Sequence, residues 1–231
     1  MNHSTRADVC ILACAEAFRG DGEILASPMG PIPAAGARLA KATFEPGLAM
    51  TDGVASLVEG SIVTGRMPYR KVFDMVWTGK RHVMMGAAQI DKYGNQNISC
   101  IGDHARPTVQ LLGARGAPGN TICHPTSYWV PAHSKRIFVP QVDFVSGVGY
   151  DRAAQLGVAA RFHEIRRVVT NLCVLDFNTE DNRMGLASVH PGVSVSEVVE
   201  KTGFELVIPE AVPTTPAPTA EQLRLICESI D

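Results

Sequence analysis

Two segments carry residue types that chemistry would use. Residues 86–97 read GAAQIDKYGNQN. A strand here ends in small residues, so backbone can come close to a neighbour or a ligand. Asp91, Gly94 and Asn95 then supply turn chemistry. In one reading Gln89, Asn95 and Asn97 line a site beside the strand end. In the other, the segment is a tight hairpin whose Asn and Asp side chains bond their own backbone. Residues 113–120 read GARGAPGN, three glycines and one arginine after a strand. Backbone N–H groups exposed by a glycine-rich turn can hold a phosphate or a developing oxyanion. Gly113, Gly116 and Asn120 are candidates for such a wall. Arg115 is either an anion ligand or a solvated loop charge. The run matches neither the Walker loop nor the dinucleotide fingerprint, so a loop that merely turns stands beside the binding reading.

Other chemistry is poorly supported. No GxSxG elbow places a serine nucleophile. The seven histidines are scattered, with no HExxH and no paired spacing, so no metal site is expected. His104 and His124 are loop residues, polar site groups in one reading and ordinary packing histidines in the other. His133, Lys135 and Arg136 form a basic cluster, either solvated or anion-binding. Trp77 and Trp129 read as core anchors. None of the six cysteines forms a CxxC pair. Cys10 and Cys14 share one helical face and read as packing groups.

The elements that must position these residues follow from periodicity and punctuation. A helix is expected over 6–18, capped by Thr5, with Val9, Cys10, Ala13, Cys14 and Ala17 in one stripe. A strand over 23–27 and a helix over 34–43 follow. Short apolar runs at 48–50, 82–87, 109–112, 136–139, 143–146, 167–175 and 185–189 read as strands, several buried on both faces. Capping boxes at Ser194 and Thr219 open two late helices. In the last, Leu223, Ile226, Cys227 and Ile230 form the docking face. Helices at both ends with strands between them point to an α/β layered fold.

The chain has 231 residues, enough to bury a core as one domain over 1–231. Its 21 basic residues against 23 acidic ones leave no excess that would recruit nucleic acid. No apolar run reaches the roughly 18 residues of a membrane span. The N-terminus has no secretory pattern, so a cytoplasmic location is expected and no membrane contact.

The two segments do not stand alone. With IGDHARP (101–107), HSKRIFVPQVDFVSGVGY (133–150), KTGFEL (201–206) and LRLICESID (223–231), they keep the order and spacing of the B subunit of glutaconate CoA-transferase. The chain thus resembles the class I CoA-transferase family from about residue 6 onward. The resemblance implies a three-layer α/β/α sandwich with a mostly parallel sheet. It implies an A-type partner subunit, often in an A2B2 assembly, and an acyl-CoA substrate. No cofactor is implied beyond the coenzyme A that the substrate carries.

One departure matters. In the transferases a glutamate of the B subunit attacks the thioester. The corresponding region here reads LAMTDGVAS (48–56), and the glutamate position falls on Gly53, with Asp52 beside it. Glu45 and Glu59 lie before and after. Gly53 offers no nucleophile, and Asp52 is shorter and, as a neighbour on a strand, expected to point the other way. The TDG pattern, with NQNIS, PGNTI, TSYWV and HPGVS, is similar to a hydrolase branch of the family in actinobacterial steroid catabolism. That similarity implies hydrolytic opening of the last steroid ring as its CoA thioester, by a retro-Claisen-like cleavage. The acid–base glutamate is then expected on the partner. The alternatives are a true transferase subunit using Asp52 or Glu59, and a non-catalytic scaffold subunit.

Overall fold

Thr5 opens the first helix with a closed capping box. Asp8 N–H donates to Thr5 Oγ1, and Thr5 N–H donates to the Asp8 carboxylate. This helix, α1 (Arg6–Glu16), is buried continuously from Val9 to Ala15. The expected stripe is therefore only part of its contact surface, because it is packed on several sides. The computed structural model describes residues 4–52, 56–68, 70–75 and 78–230. After α1 come β1 (Leu25–Pro28) and α2 (Pro31–Thr43), which starts three residues earlier than 34. Proline is tolerated there because the first-turn N–H has no intrahelical partner to lose. The strands β2 (Ala49–Thr51), β3 (Ser56–Glu59) and β4 (Ile62–Arg66) precede α3 (Arg70–Met75). Next are β5 (Arg81–Met85), β6 (Gln89–Ile90), β7 (Gln96–Asn97), β8 (Cys100–Ile101) and β9 (Val109–Gln110). The chain continues through α4 (Ala117–Cys123), β10 (Pro125–Val130), α5 (Tyr150–Ala153) and β11 (Glu164–Thr170). It ends with β12 (Cys173–Asp176), β13 (Gly185–Val189), α6 (Val195–Glu200) and α7 (Ala220–Ile230).

Among the described residues, nine strands form one sheet in the order β13-β12-β11-β10-β5-β1-β2-β3-β4. The central five pair in parallel, and both edges continue antiparallel. β1 and β5 are buried at every position, as strands covered on both faces must be. Alternate residues feed two separate cores. Met84 and Val169 join Phe18, Leu39 and Ile226 on the face covered by α1, α2 and α7. Val83, Met85 and Val168 join Tyr128, Phe138 and Val198 on the other. This is the expected three-layer α/β/α arrangement.

Several local expectations are corrected. Residues 136–139 and 143–146 are not strands. Phe138 makes only an isolated bridge to Ile90. The Asp143 carboxylate instead takes hydrogen bonds from Gln89 Nε2 and Gly102 N–H. The run 167–175 folds back on itself as β11 and β12, because Thr170 Oγ1 accepts the N–H groups of Leu172 and Cys173 and closes a tight turn. The central strand β10 was not anticipated. Cys227 is exposed on α7, whose contact runs through Leu225 and Ile226. No described helix is long and apolar enough to cross a membrane.

α1 and α2 meet at Gly36. A Cβ there would lie 2.7 Å from Cys14 Cβ and 3.0 Å from the backbone of Ile11 and Ala15. Backbone cannot rotate aside, so the clash outweighs the gain of up to about 1 kcal/mol that alanine has over glycine in a helix. Gly36→Ala should therefore destabilise by about 1–3 kcal/mol, read as a lower urea midpoint at unchanged slope. An unchanged or raised midpoint contradicts this packing.

Two buried histidines outside the cavity described below make stability pH-dependent. Burial, then the charge of Lys201, pushes His133 down to about 4. Burial likewise lowers His190. Both are neutral in the fold, and the unfolded chain binds their protons first. Stability is therefore complete above pH about 6.5 and is lost as the pH falls, for His133 by about 1.4 kcal/mol per unit. For His133 the loss ends near pH 4, its folded value. Urea midpoints at pH 7.5 and pH 5 should differ, the lower one at pH 5. Equal midpoints would show that these rings are not buried as neutral groups.

Candidate active site

Parallel sheets bind ligands at the carboxyl ends of their strands, where successive crossovers leave in opposite directions. Here that point lies between β1 and β5, since the chain leaves β1 toward β2 and leaves β5 toward β10. A cavity of about 1000 Å³ opens there. Met29 and Gly30 after β1, Asp52 after β2, and Met85 and Gly86 at the end of β5 form its strand side. Ala88, Gln96 and Ile98 come from the β6–β7 hairpin, and Gln110, Leu111 and Leu112 from β9 and the turn beyond it. Arg115 through Asn120, with His124 and Arg81, complete the lining.

The glycine-rich segment is only half a loop. Gly113 has φ +91°, and Arg115 follows with φ +51°. Such backbone is strained for an arginine by about 1–3 kcal/mol, a cost that tends to persist at working sites. From Ala117 the segment becomes α4, with Pro118 in its first turn. The structure thus brings Arg115, Gly116 and Asn120 together on one wall of the cavity. Arg115 is exposed, and its guanidinium has no hydrogen-bond or ion-pair partner among the described residues. Asn120 is buried, and its Oδ1 accepts Arg81 Nη1 at 2.8 Å. Gly113 does not border the cavity, and it shapes the turn that leads to the wall.

Gln89, Asn95 and Asn97 lie behind the wall. Gln89 Oε1 accepts Asn97 Nδ2 at 2.7 Å and Asp143 N–H at 3.0 Å. Asn95 Nδ2 donates to Asp151 at 2.9 Å, and its Oδ1 accepts Gly149 N–H at 2.8 Å. Asp91 accepts the N–H groups of Tyr93 and Asn95, closing the hairpin turn. The hairpin is real, and these amides tie it to residues 143–151. Alternation along β7 then turns Gln96 into the cavity lining.

Asp52 borders the cavity instead of pointing away from it. Its Oδ1 accepts Ser56 N–H at 3.1 Å. Gly53 and Trp77 lie outside the described residues. Glu45 is a loop residue, accepting the N–H groups of Gly20 and Gly22. Glu59 pairs with Lys41 at 2.8 Å and does not line the cavity. His104 stacks on Phe144, and His133 is a core residue between Thr170 and Thr202. His124 is fully buried at the cavity floor, and burial, then the charge of Arg81, pushes it down to about 4. Arg81 had no sequence signal, being an arginine at the start of an interior strand. Among the described residues no group of three or more His, Cys, Asp and Glu is placed to hold a metal ion.

A Cβ at Gly119 would meet no atom within 4 Å. Gly119→Val should therefore fold normally, yet narrow the cavity. Acyl-CoA binding by the assembled protein should weaken about tenfold or more, read by calorimetry, at unchanged thermal stability. Unaltered affinity would place the ligand elsewhere.

The coenzyme A transferase family model matches residues 51–201. The chain is 50% identical to the cholesterol ring-cleaving hydrolase IpdB subunit of Rhodococcus jostii RHA1, over 98% of this chain and 92% of the relative. It is 48% identical to the IpdB subunit of Mycobacterium tuberculosis H37Rv, over 99% of this chain and 95% of that one. The crystal structure of Rhodococcus jostii RHA1 IpdAB superposes with TM-score 0.93, covering 98% and 94% of the two chains. Glutaconate coenzyme A-transferase of Acidaminococcus fermentans, 25% identical, superposes with TM-score 0.86, covering 99% of this chain and 95% of that one. With a cavity at the switch point of its sheet and this likeness along nearly its whole length, the chain belongs to the coenzyme A transferase family.

Proposed function

We propose that the chain is the B-type subunit of a two-subunit, CoA-transferase-like hydrolase that opens the last steroid ring, carried as an acyl-CoA, in cholesterol breakdown. The observation that carries this reading is the whole-length likeness to a cholesterol ring-cleaving hydrolase subunit; the resemblance to the transferases, which implies glycine where their nucleophile stands, supports it. The reading calls for no cofactor other than the coenzyme A of the substrate, and it puts the enzyme in the cytoplasm.

The chemistry divides between two chains. A base removes a proton from water, and the hydroxide adds to the ring ketone. The bond from that carbon to the carbon beside the thioester breaks. Its electron pair becomes the thioester enolate, which is then protonated, while the former ketone carbon leaves as a carboxylate. Such a path needs a base and donors for the developing negative charge. On this chain Arg115 and the wall from Gly116 to Asn120 serve as donors and contacts for the acyl-CoA. Gln89, Asn95 and Asn97 act by holding the hairpin wall. The base, a glutamate, belongs to the A-type partner, in an A2B2 assembly. Gly86 and Gly30 leave room for backbone to approach the ligand.

The transferase alternative needs a carboxylate that can attack the thioester. Glu59 is held at the edge hairpin by Lys41. Asp52 borders the cavity, so it is the residue to test. Asp52→Asn in the assembled complex should keep more than about a tenth of the hydrolysis rate, a barrier change under about 1.4 kcal/mol. The chain alone should show no thioester or ring hydrolysis, and addition of the partner should restore it. A thousandfold loss in Asp52→Asn with the complex intact, or steady turnover by the isolated chain, would overturn this division of labour. A scaffold role would instead leave turnover unmoved by Gly119→Val.

A further inference from the structure

His124 is the one cavity-lining histidine among the described residues, and its environment is unusual. The residue is fully buried. Neither ring nitrogen has a hydrogen-bond partner among the described residues. Most buried polar atoms in folded proteins are paired, so two unpaired nitrogens on one ring call for a reason. Asn120 lies one helical turn before it, and His124 N–H closes α4 on the Asn120 carbonyl at 3.1 Å. Both residues border the cavity. Arg81 Nη1 holds Asn120 Oδ1, which fixes the amide so that its NH2 group faces away from the guanidinium. The contact recorded for that NH2 is Met85 Sδ at 3.9 Å, a weak acceptor. A neutral imidazole offers one N–H donor and one acceptor. Two residues one helical turn apart on the cavity lining thus carry an unpaired imidazole and an amide NH2 held only by a thioether, in the field of a buried arginine. That combination suits an acceptor oxygen.

We propose that His124, with Asn120, is a specificity-determining residue that hydrogen-bonds a second oxygen of the substrate's acyl group, a ketone or carboxylate remote from the thioester. This rests on the acyl-CoA reading above and adds which part of the acyl group the floor selects. The ring nitrogens are where that oxygen docks, and Arg81 stabilises whatever negative charge it carries. An acyl chain bearing only hydrocarbon at that end would leave the imidazole buried and unpaired, and would be rejected.

The test uses the assembled two-subunit complex and four probes: cyclohexanecarboxyl-CoA and its 3-oxo, 4-oxo and 4-carboxy derivatives. Dissociation constants are measured by calorimetry for the wild type, His124→Phe and His124→Gln. In the wild type at least one oxygenated probe should bind about tenfold more tightly than the hydrocarbon probe. Which one does so distinguishes ketone from carboxylate. In His124→Phe that preference should fall below about threefold, while the hydrocarbon probe binds as before. His124→Gln, which keeps a donor and an acceptor, should retain part of the preference. If His124→Phe does not assemble, His124→Leu carries the same comparison. A wild type that does not discriminate, a preference that survives in His124→Phe, or equal weakening of all four probes would overturn the assignment. Failure of every probe to bind the wild-type complex would instead overturn the acyl-CoA reading, and this inference with it.

Discussion

The cavity depends on how one buried cation is held. Arg81 opens β5 in the sheet interior, where an arginine is costly unless its donors are satisfied. Its Nε donates to Ser27 Oγ at 3.0 Å and its Nη1 to Asn120 Oδ1 at 2.8 Å. Ser27 in turn accepts Thr51 Oγ1 at 3.3 Å. A polar thread therefore runs from β2 through β1 and β5 to α4. It sets where the first turn of α4 lies over the strand ends, and so the position of Gly116, Asn120 and His124. A second tie comes from β10, where Thr126 Oγ1 donates to the Asn120 carbonyl at 3.3 Å.

A second polar arrangement shows how geometry alone can mislead. His82 Nδ1 lies 2.7 Å from Asp21 Oδ2, and His82 Nε2 lies 2.9 Å from Ser127 Oγ. The pattern matches a serine hydrolase triad in its distances. Yet Ser127 and His82 are both fully buried, and neither lines the cavity. Phe18 packs on the His82 ring, and Arg166 pairs with the other oxygen of Asp21. The three residues join the turn after α1 to β5 and β10. They satisfy one another's hydrogen bonds inside the sheet and face no substrate.

The same economy governs the β6–β7 hairpin. Its amides look like site residues because Gln and Asn are common ligand contacts. Here they carry the load of a wall that has little regular sheet. Gly149 lies so close to the Tyr93 carbonyl that any side chain would collide with it. Asp143 and Asp151 supply the acceptors. The irregular segment 131–149 is thereby ordered by side chains and by single bridges to Ile90 and Gln96, with no ladder, and Gln96 of the hairpin is left to border the cavity.

Much of this was readable along the chain. Thr5 with Asp8, Ser194 and Thr219 mark helix starts by local hydrogen bonding, which needs no distant partner. Short apolar runs bounded by glycine marked β1, β5 and β13, since strands covered on both faces lack polar alternation. The glycine-rich run marked one wall of the cavity, because tight backbone needs glycine whatever surrounds it. Asp91, Gly94 and Asn95 likewise announced a hairpin turn. What the chain could not show is which polar side chains border the cavity and which face the protein. Gln89 and Gln96 are alike in type, and only the pleat and the 143–151 segment put one behind the wall and the other on it. Arg81 and His124 are distant in sequence, and neither stands in a motif. They become neighbours only because β5 pairs with β1 and β10 and carries α4 across its end. Runs 136–139 and 143–146 have strand composition, but beside them lies only the two-residue edge of β6 or β7, so each makes a single bridge, Phe138 with Ile90 and the adjoining Gly147 with Gln96, and no ladder follows. Local chemistry sets turns and caps; long-range pairing decides which groups meet.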